Sequence, residues 1–470
     1  MSKMNVGLIG VGVMGQNLAL NIERNGFSVA VFDRVPEKVT DFLKGKATGK
    51  RIIGSSTVEE FLGQLELPRR IILLVNAGKP VDDVIDGLSV NLSKGDVVFD
   101  GGNSFFLDTE RRTAALEKKG IFFIGSGVSG GEEGALKGPA IMPGGSRQAY
   151  DLIAPILTKI AARVGNDPCC AYIGPRGAGH YVKMIHNGIE YAIMQLICET
   201  YDILRTGLGL SGPEIGLIFR SWNETEGLGS YLFEITSNVL SRMDSKTGRP
   251  LVDLILDTAE QKGTGKWASQ NAFDLGIPIP TINAAVESRM LSSFKQERMH
   301  ASAILRGPAP LPKNGTSSLV SETRDALHAS IIVSYAQGMA LLKAASAEYK
   351  YELRLDQIAG LWRGGCIIRS QLLEPISRAF QKSPSLNNLM IDEYFSATLN
   401  STQEHWRNTV QSSAKAGIPV LAMGASLSYY DAYRRMQLPA NLLQAQRDYF
   451  GAHTYRRIDT EGAFHTEWEK

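Results

Sequence analysis

The sequence predicts an α/β protein: an N-terminal doubly wound parallel sheet, then a large all-α domain with an internal duplication, then an extended C-terminal tail. A glycine-rich turn joins a short apolar strand to a helix near the N-terminus. Further apolar strands alternate with helical segments up to about residue 178, and helical periodicity dominates from 179 to 435. We therefore expect domains at residues 1–178 and 179–435, with a tail at 436–470.

Composition limits the classes of function. A chain of 470 residues is too long for one core, and 43% hydrophobic with 21% charged residues is typical of soluble globular proteins. The N-terminus passes directly into a strand, and the apolar runs are shorter than the roughly 20 residues that span a bilayer. We expect a cytoplasmic protein without membrane contact. The net charge of +2 argues against nucleic acid as a partner.

The cysteines do not suggest a metal site. There are four, and none has the spacing of a metal ligand set: Cys169, Cys170, Cys198 and Cys366. We expect reduced thiols, as is usual inside cells, and no bound metal.

The first element pair has the pattern of a Rossmann-type dinucleotide site. Residues 4–9 form an apolar strand, and a helical segment follows the turn Gly10, Val11, Gly12, Val13, Met14, Gly15. Gly10 permits the turn, Gly12 allows close approach of a pyrophosphate, and Gly15 allows the helix to pack on the strand. The helix N-terminus supplies amide donors to phosphate groups.

Later strands end in polar or glycine-rich loops. The strand at 27–32 leads into Asp33, whose carboxylate can accept hydrogen bonds from an adenosine ribose. Strands at 70–75, 96–99 and 121–124 precede loops at 75–78, 100–104 and 127–134. Ligands bind at the carboxyl ends of such strands, and glycine loops can present amides to an anion. Three simple turns are the alternative interpretation.

A long helical segment from about residue 178 carries an unusual polar stripe. The residues that share this face are Lys183, His186, Asn187, Glu190 and Tyr191. A solvated face is the usual explanation for such a stripe. Here the remaining positions are strongly apolar, so the helix is expected to be buried. A buried base and acid on one face favour proton-transfer chemistry.

A weak repeat links two parts of the helical region. Residues 191–220 can be laid over residues 334–363 without a gap. The same register places Ala326, Ala329, Ser330 and Val333 opposite Lys183, His186, Asn187 and Glu190. The hypothesis is a duplicated helical unit whose first copy carries the chemistry, while the second serves packing or dimerisation.

Several segments carry longer motifs: GLIGVGVMGQNLALNIE, DGGNSFF, GVSGGEEGALKGPAIMPGG, GHYVKMIHNGIEY, KGTGKW and QAQRDYFGAHTYRRID. Together they resemble the 6-phosphogluconate dehydrogenase family, and the resemblance runs from residue 4 to 470. It implies hydride transfer from C3 of 6-phosphogluconate to NAD(P), loss of CO2, and tautomerisation of the enediol to ribulose 5-phosphate. It implies no metal.

The resemblance also implies roles for individual residues. Lys183 matches the base that takes the C3 hydroxyl proton, and Glu190 matches the acid that protonates C1. The substrate positions are Asn103, Ser129, Gly130, Gly131, His186, Asn187, Tyr191, Lys262, Arg289, Arg447 and His453. Arg447 and His453 match tail residues that enter the neighbouring subunit's site, which implies a homodimer. The coenzyme positions are Gly10, Val11, Gly12, Val13, Met14, Gly15, Asp33, Arg34, Val35, Val75, Asn76, Ala77 and Asn103.

The sequence departs from the family pattern where the coenzyme's 2′-phosphate would bind. The family has Asn-Arg-Thr there, whereas this chain has Asp33, Arg34 and Val35. A carboxylate repels a phosphate but binds a free ribose hydroxyl. Asn76 likewise replaces a family lysine. We expect NADP or NAD as coenzyme, with a shift towards NAD.

Two other functions remain open. One is a β-hydroxyacid dehydrogenase acting on a smaller acid, although Lys262, Arg289 and the tail motif would then have no phosphate to hold. The other is a dinucleotide-binding protein without catalytic activity. The pairing of Lys183 with Glu190 argues against it.

Overall fold

The structure is a computed structural model that describes residues 3–261, 263–308 and 317–469. Its N-terminal part contains a seven-stranded sheet in the order β3-β2-β1-β4-β5-β6-β7. β7 is antiparallel to β6, and the other pairs are parallel. The strands are β1 (Val6–Ile9), β2 (Val29–Phe32), β3 (Ile52–Gly54), β4 (Arg70–Leu73), β5 (Val97–Asp100), β6 (Phe122–Ser129) and β7 (Ala140–Gly145), followed by a separate hairpin of β8 (Arg163–Val164) and β9 (Asp167–Pro168).

Helices cover both faces of this sheet. They are α1 (Val13–Arg24), α2 (Pro36–Lys44), α3 (Val58–Gly63), α4 (Lys79–Ser89), α5 (Phe106–Glu117), α6 (Gly131–Lys137) and α7 (Arg147–Ile160). Successive side chains of β1 point to opposite faces, so Leu8 and Ile9 belong to two different apolar clusters. The doubly wound Rossmann-type prediction is therefore confirmed.

Two strands of the seven-stranded sheet, β3 and β7, were not expected from the sequence. β3 has only three residues, too few for a clear pattern, and β7 contains Pro143 and a Gly-Gly pair. β7 nevertheless forms an antiparallel edge strand on β6. The strand that ends at Ser129 is also longer than predicted. Sheet pairing, rather than local propensity, decides these segments.

The second part of the chain is helical, as predicted. Its helices are α8 (Ala178–Asp202), α9 (Gly212–Asn223), α10 (Tyr231–Ser241), α11 (Thr264–Asp274), α12 (Pro280–Ser293), α13 (Lys295–Ile304), α14 (Ser317–Glu348), α15 (Leu355–Leu361), α16 (Leu373–Lys382), α17 (Glu393–Ala416), α18 (Leu421–Tyr433) and α19 (Ala440–Gly451). A π-helical turn at Ile203–Gly207 follows α8, and 3-10 turns lie at Leu251–Leu254 and Leu389–Ile391. None of the helices described is long and apolar enough to cross a membrane.

The two segments of the weak repeat have the same kind of structure. A long helix and a shorter one occur in each, α8 with α9 and α14 with α15. The duplication hypothesis required both segments to be helical, and both are. That the two segments superpose in detail stays a prediction.

The C-terminal tail is more ordered than its lack of periodicity indicated. Residues 440–451 form α19, and a bridge joins Tyr455 to Phe464 through two backbone hydrogen bonds of 2.8 Å. The expected extended tail thus contains a helix at residues 440–451. The apolar side chains of α19 are largely exposed, so local periodicity carries little signal there.

Candidate active site

A cleft of about 420 Å³ lies where the strand order reverses between β1 and β4. In an open α/β sheet, such a switch point is the usual ligand crevice. Several of the predicted coenzyme residues line it: Gly10, Gly12, Asp33, Arg34, Val75 and Asn76. The structure thus brings residues from three strand ends into one site.

The glycine turn has the geometry that a dinucleotide needs. A Cβ on Gly15 would lie 1.8 Å from the carbonyl oxygen of Gly10, so only glycine lets α1 pack this closely on β1. Gly10 has a φ of +102°, which favours glycine. Gly12 faces open space, because a Cβ added there would have no heavy atom within 4 Å. A pyrophosphate can therefore approach the backbone at this glycine.

The first turn of α1 supplies the anion-binding groups. The N-cap residue of α1 is Gly12, which makes no side-chain hydrogen bond to the amides of the first turn. The amides of Val13 and Met14 begin the helix and lie at its positive dipole end. The residues therefore fit the diphosphate of a dinucleotide.

Asp33 has a structural role that the sequence did not reveal. The N–H of Val11 donates to Asp33 Oδ2 at 2.8 Å, and the N–H of Val35 donates to Oδ1 at 3.0 Å. The carboxylate thus braces the glycine turn against the end of β2. It still lines the cleft, where its charge faces any group at the ribose.

Lys38 is a cleft residue that sequence reasoning missed. It is exposed and lies on α2, four residues beyond Arg34. The cleft therefore combines two cations with the carboxylates of Asp33 and Asp83. Its place a few residues after Asp33 and Arg34 was the available signal.

Most of the polar stripe on α8 is buried, as predicted, and Glu190 is partly exposed. His186 is fully buried, and Lys183 and Asn187 are 6% and 8% exposed. His186 Nδ1 lies 3.4 Å from Lys183 Nζ, 3.1 Å from Asn187 Oδ1 and 3.8 Å from Glu190 Oε2. The solvated-face alternative is therefore wrong.

The position of Lys183 follows from close packing of α8 on β6. A Cβ on Gly127 would lie 2.3 Å from the Cβ of Lys183, so the strand needs glycine where the helix crosses it. This approach places the stripe beside the end of β6. Ser129 Oγ there lies 3.4 Å from His186 Nε2.

Burial shifts the pKa values of Lys183 and Glu190 in opposite directions. Desolvation lowers the pKa of Lys183, although the charge of Glu190 and the thiol of Cys366 act to raise it. Desolvation raises the pKa of Glu190, opposed by the charges of Lys183 and Arg289. Burial, with the charge of Lys183, also holds the pKa of His186 well below 6.5. Burial therefore shifts the pKa values of all three groups in the direction that favours their neutral forms.

The glycine loop after β6 begins a short helix. Gly130 and Gly131 have φ values of +106° and +61°, and α6 starts at Gly131. Asn103 lies exposed in the loop after β5, at the same edge of the sheet as the other strand ends. Ala77 is exposed in the loop after β4.

Tyr191 and Arg289 form the far end of the stripe. The guanidinium of Arg289 stacks on the Tyr191 ring at 3.4 Å from its centroid. A Cβ on Gly265 would lie 2.7 Å from the same ring, so the KGTGKW segment adjoins it. Lys262, also predicted as a substrate residue, lies outside the described residues.

A wall of the site comes from the second helical segment, which the sequence interpretation assigned only to packing or dimerisation. The ring of Trp362 lies edge-on to His186, with centroids 5.5 Å apart. The carbonyl oxygen of Gly365 would be 2.5 Å from a Cβ on Gly130. These residues directly follow α15, and their glycine pair was the available signal.

Arg447 and His453 are exposed, and the contacts that the structure gives them lie within the tail. Arg447 Nη1 donates to Gln444 Oε1 at 3.1 Å, and the ring of His453 lies 5.9 Å from that of Phe450. Within this one chain they are not brought to the stripe by any described contact.

Comparison with known proteins agrees with this geometry. Residues 5–174 match the model described as "NAD binding domain of 6-phosphogluconate dehydrogenase", and residues 179–468 match "6-phosphogluconate dehydrogenase, C-terminal domain". A relative from Bacillus subtilis (strain 168), "6-phosphogluconate dehydrogenase, NADP(+)-dependent, decarboxylating", is 52% identical over the full length of both chains. One from Escherichia coli (strain K12), "6-phosphogluconate dehydrogenase, decarboxylating", is 51% identical over the full length of both.

A solved structure shows the same fold. The Plasmodium falciparum 6-phosphogluconate dehydrogenase is 43% identical, with a TM-score of 0.95, and the match covers 99% of this chain and 100% of that one. Its description names an apo form and complexes with NADP+ and with 6-phosphogluconate. By sequence, by both domain families and by fold, this chain belongs to the 6-phosphogluconate dehydrogenase family.

Proposed function

We propose that the protein oxidises 6-phosphogluconate and decarboxylates it to ribulose 5-phosphate and CO2, with reduction of NADP or NAD, in the pentose phosphate pathway. The observation that carries the proposal is that Lys183 and Glu190 share one face of α8. Both lie against the buried ring of His186, beside the glycine loop at Ser129. The relatives' names and the ligands of the Plasmodium enzyme support it.

Lys183 acts first as a base. Burial lowers the pKa of its amine, and the neutral form takes the proton of the C3 hydroxyl. The nicotinamide of the bound coenzyme supplies the acceptor for the C3 hydride. The resulting Lys183 ammonium then donates its proton to the C3 carbonyl oxygen while the C1–C2 bond breaks and CO2 leaves.

Glu190 completes the reaction as an acid. Burial raises the pKa of its carboxyl, which donates a proton to the carbon that has lost CO2. The amine of Lys183, neutral again after the previous step, takes the proton of the C3 hydroxyl, and the enediol becomes the ketone. Neutral His186 and Asn187 hydrogen-bond the substrate hydroxyls without competing for the proton. Arg289 and Lys262 supply the charge that a phosphate dianion requires.

The assembly is part of the proposal. A homodimer, in which Arg447 and His453 of one copy enter the substrate site of the other, would give these exposed tail residues a function. The domains would then be a dinucleotide-binding unit at 1–178, a substrate and dimerisation unit at 179–435 and a tail at 436–470. A cytoplasmic location is part of the same proposal.

The direct test is an assay of coenzyme reduction and CO2 release with 6-phosphogluconate. Both products should appear in equal amounts. Reduction without CO2, or activity only with an unphosphorylated hydroxy acid, would contradict the proposal. The Lys183→Met variant should lose turnover by a factor of at least about 10³ and still bind coenzyme. A Lys137→Met variant, an exposed lysine on α6, serves as the control.

A further inference from the structure

The tail is organised around one buried carboxylate. Within the fully described helix α19, Asp448 is the only buried residue, and it is 0% exposed. Its Oδ1 accepts from the N–H of Thr454 at 3.0 Å and lies 3.0 Å from His465 Nδ1. Its Oδ2 accepts from the N–H of Thr466 at 3.1 Å and from Trp468 Nε1 at 2.9 Å. The donors come from two later segments, at residue 454 and at residues 465–468, so Asp448 connects α19 to both.

The backbone around His453 is held in an uncommon conformation. Ala452 and Thr454, the residues on either side of His453, have φ values of +49° and +59°. Side chains other than glycine adopt this region only when the surroundings enforce it. The hydrogen bond from Thr454 to Asp448 is such an enforcement, because it fixes the turn immediately after His453.

A second contact links the same turn to Arg447. Gln444 Nε2 donates to the carbonyl oxygen of Thr454 at 2.6 Å, and Gln444 Oε1 accepts from Arg447 Nη1 at 3.1 Å. Asp448 and Gln444 thus both hydrogen-bond to the backbone of Thr454, one at its N–H and the other at its carbonyl oxygen. The result places the side chains of Arg447 and His453 at the surface of one compact unit.

The carboxylate is charged at any working pH. Burial alone would raise its pKa, but hydrogen bonds from His465, Thr466 and Trp468 outweigh it and set the pKa of Asp448 at about 2. A neutral side chain could not satisfy all of these donors at once.

We propose that Asp448 is a positioning residue, which pre-forms the tail so that Arg447 and His453 reach the substrate of a second copy of this chain in the correct geometry. This inference rests on the proposed function, since it requires that the tail contributes to substrate binding. Pre-formation lowers the ordering cost of binding, because the turn is already in place before the substrate arrives.

Steady-state kinetics of Asp448→Ala provide the first test. We expect the KM for 6-phosphogluconate to rise about tenfold or more, with the KM for coenzyme within about twofold. Asp448→Asn keeps one acceptor oxygen, so its KM for 6-phosphogluconate should lie between those of the unmodified enzyme and Asp448→Ala. The control Asp459→Ala removes an exposed tail carboxylate that pairs only with Arg457 in the described contacts, and should leave KM unchanged.

A double-variant cycle separates positioning from general stability. If Asp448 acts through His453, then Asp448→Ala combined with His453→Ala should bind substrate no more weakly than the worse of the two single variants. Independent, multiplicative effects on KM would overturn the proposal. So would a loss of kcat with normal KM, since that is the result of a smaller folded fraction.

Mixed dimers test the second copy. Asp448→Ala and Lys183→Met chains, dissociated together and reassociated, form hybrids in which an intact Lys183 meets an intact tail from the other chain. These hybrids should show the normal KM for substrate. A raised KM in every hybrid would place the tail in its own chain's site and overturn the proposal. An inactive unmodified enzyme would instead overturn the proposed function.

Discussion

Lys183 and Glu190 lie two helical turns apart, and the same burial shifts their pKa values in opposite directions. Desolvation disfavours both charged forms, so the amine loses its proton more easily and the carboxyl keeps its proton longer. The two groups are thereby suited to act as base and acid at one pH. Exposed residues of the same type would both be ionised at neutral pH.

The pH profile of kcat/KM should report this coupling. Because the base must be neutral, activity rises with pH as Lys183 loses its proton, at a pH below its ordinary pKa of 10.5. The charge of Glu190 raises the pKa of Lys183, so Glu190→Gln should move this limb to lower pH as well as slow the reaction. Glu133→Gln, an exposed carboxylate on α6, is the control. An unmoved limb in Glu190→Gln would contradict the assignment.

Asp33 should decide the coenzyme preference. Asp33→Asn keeps one acceptor for the backbone amides but removes the charge that repels a 2′-phosphate. We expect the ratio of kcat/KM for NADP to that for NAD to rise by about tenfold, or ~1.4 kcal/mol. Asp83→Asn, which removes a carboxylate elsewhere in the same cleft, should change the ratio by less than about threefold. An unmodified enzyme that strongly prefers NADP would refute the expected shift towards NAD.

At the scale of elements, α5 ties two strand-end loops together. Arg112, only 2% exposed, donates to Asp82 at the start of α4 and to the carbonyl oxygen of Gly78, at 2.8 and 2.9 Å. Its Nη1 also lies 3.4 Å from Ser104 Oγ and 3.6 Å from Asp100 Oδ2. One guanidinium therefore contacts both of the loops that carry Asn76 and Asn103.

Arg111 and Arg112 make a matched pair for testing this brace. Both contact Asp82, but Arg111 is 57% exposed and reaches neither loop in the described contacts. We expect Arg112→Ala to raise the KM for coenzyme severalfold and to lower the free energy of unfolding by about 3 kcal/mol, because Asp100 stays buried without its cation. Arg111→Ala should cost less than about 1 kcal/mol. Equal effects of the two, in thermal unfolding and kinetics, would contradict the role of Arg112.

At the scale of the molecule, α19 presents apolar side chains to solvent. Leu443 and Phe450 are 57% and 73% exposed and lie seven residues apart, on one helix face. Further exposed apolar residues follow α12 and α13, among them Phe294 and Leu305. Surfaces of this kind are usual at protein–protein interfaces. An interface with the proposed second copy of the chain would cover these apolar side chains.

Light scattering should therefore give twice the 51.2 kDa mass of the chain. Phe450→Asp places a charge on the apolar face of α19 and should shift the protein towards monomers. Val90→Asp alters another strongly exposed apolar residue, at the end of α4, and should leave the mass unchanged. A monomeric unmodified protein would contradict the proposed assembly.

The sequence predicted the site well where chemistry follows local spacing. The glycine turn, the face shared by Lys183 and Glu190 and the alternation of strands with helices are all short-range patterns. It failed for β7 and for the wall at Trp362, because long-range pairing and packing create these features. It also missed the two backbone hydrogen bonds of Asp33, which depend on how the end of β2 meets the glycine turn.

By itself, therefore, the sequence determined the fold class, the glycine turn and the polar stripe of α8, since helical periodicity and turn residues are short-range patterns. Only the tertiary structure decided that the stripe is buried against β6, that Arg112 braces two loops and that Asp448 orders the tail. Burial and convergence of distant donors change pKa values and backbone conformation, and both arise only when remote segments meet in three dimensions.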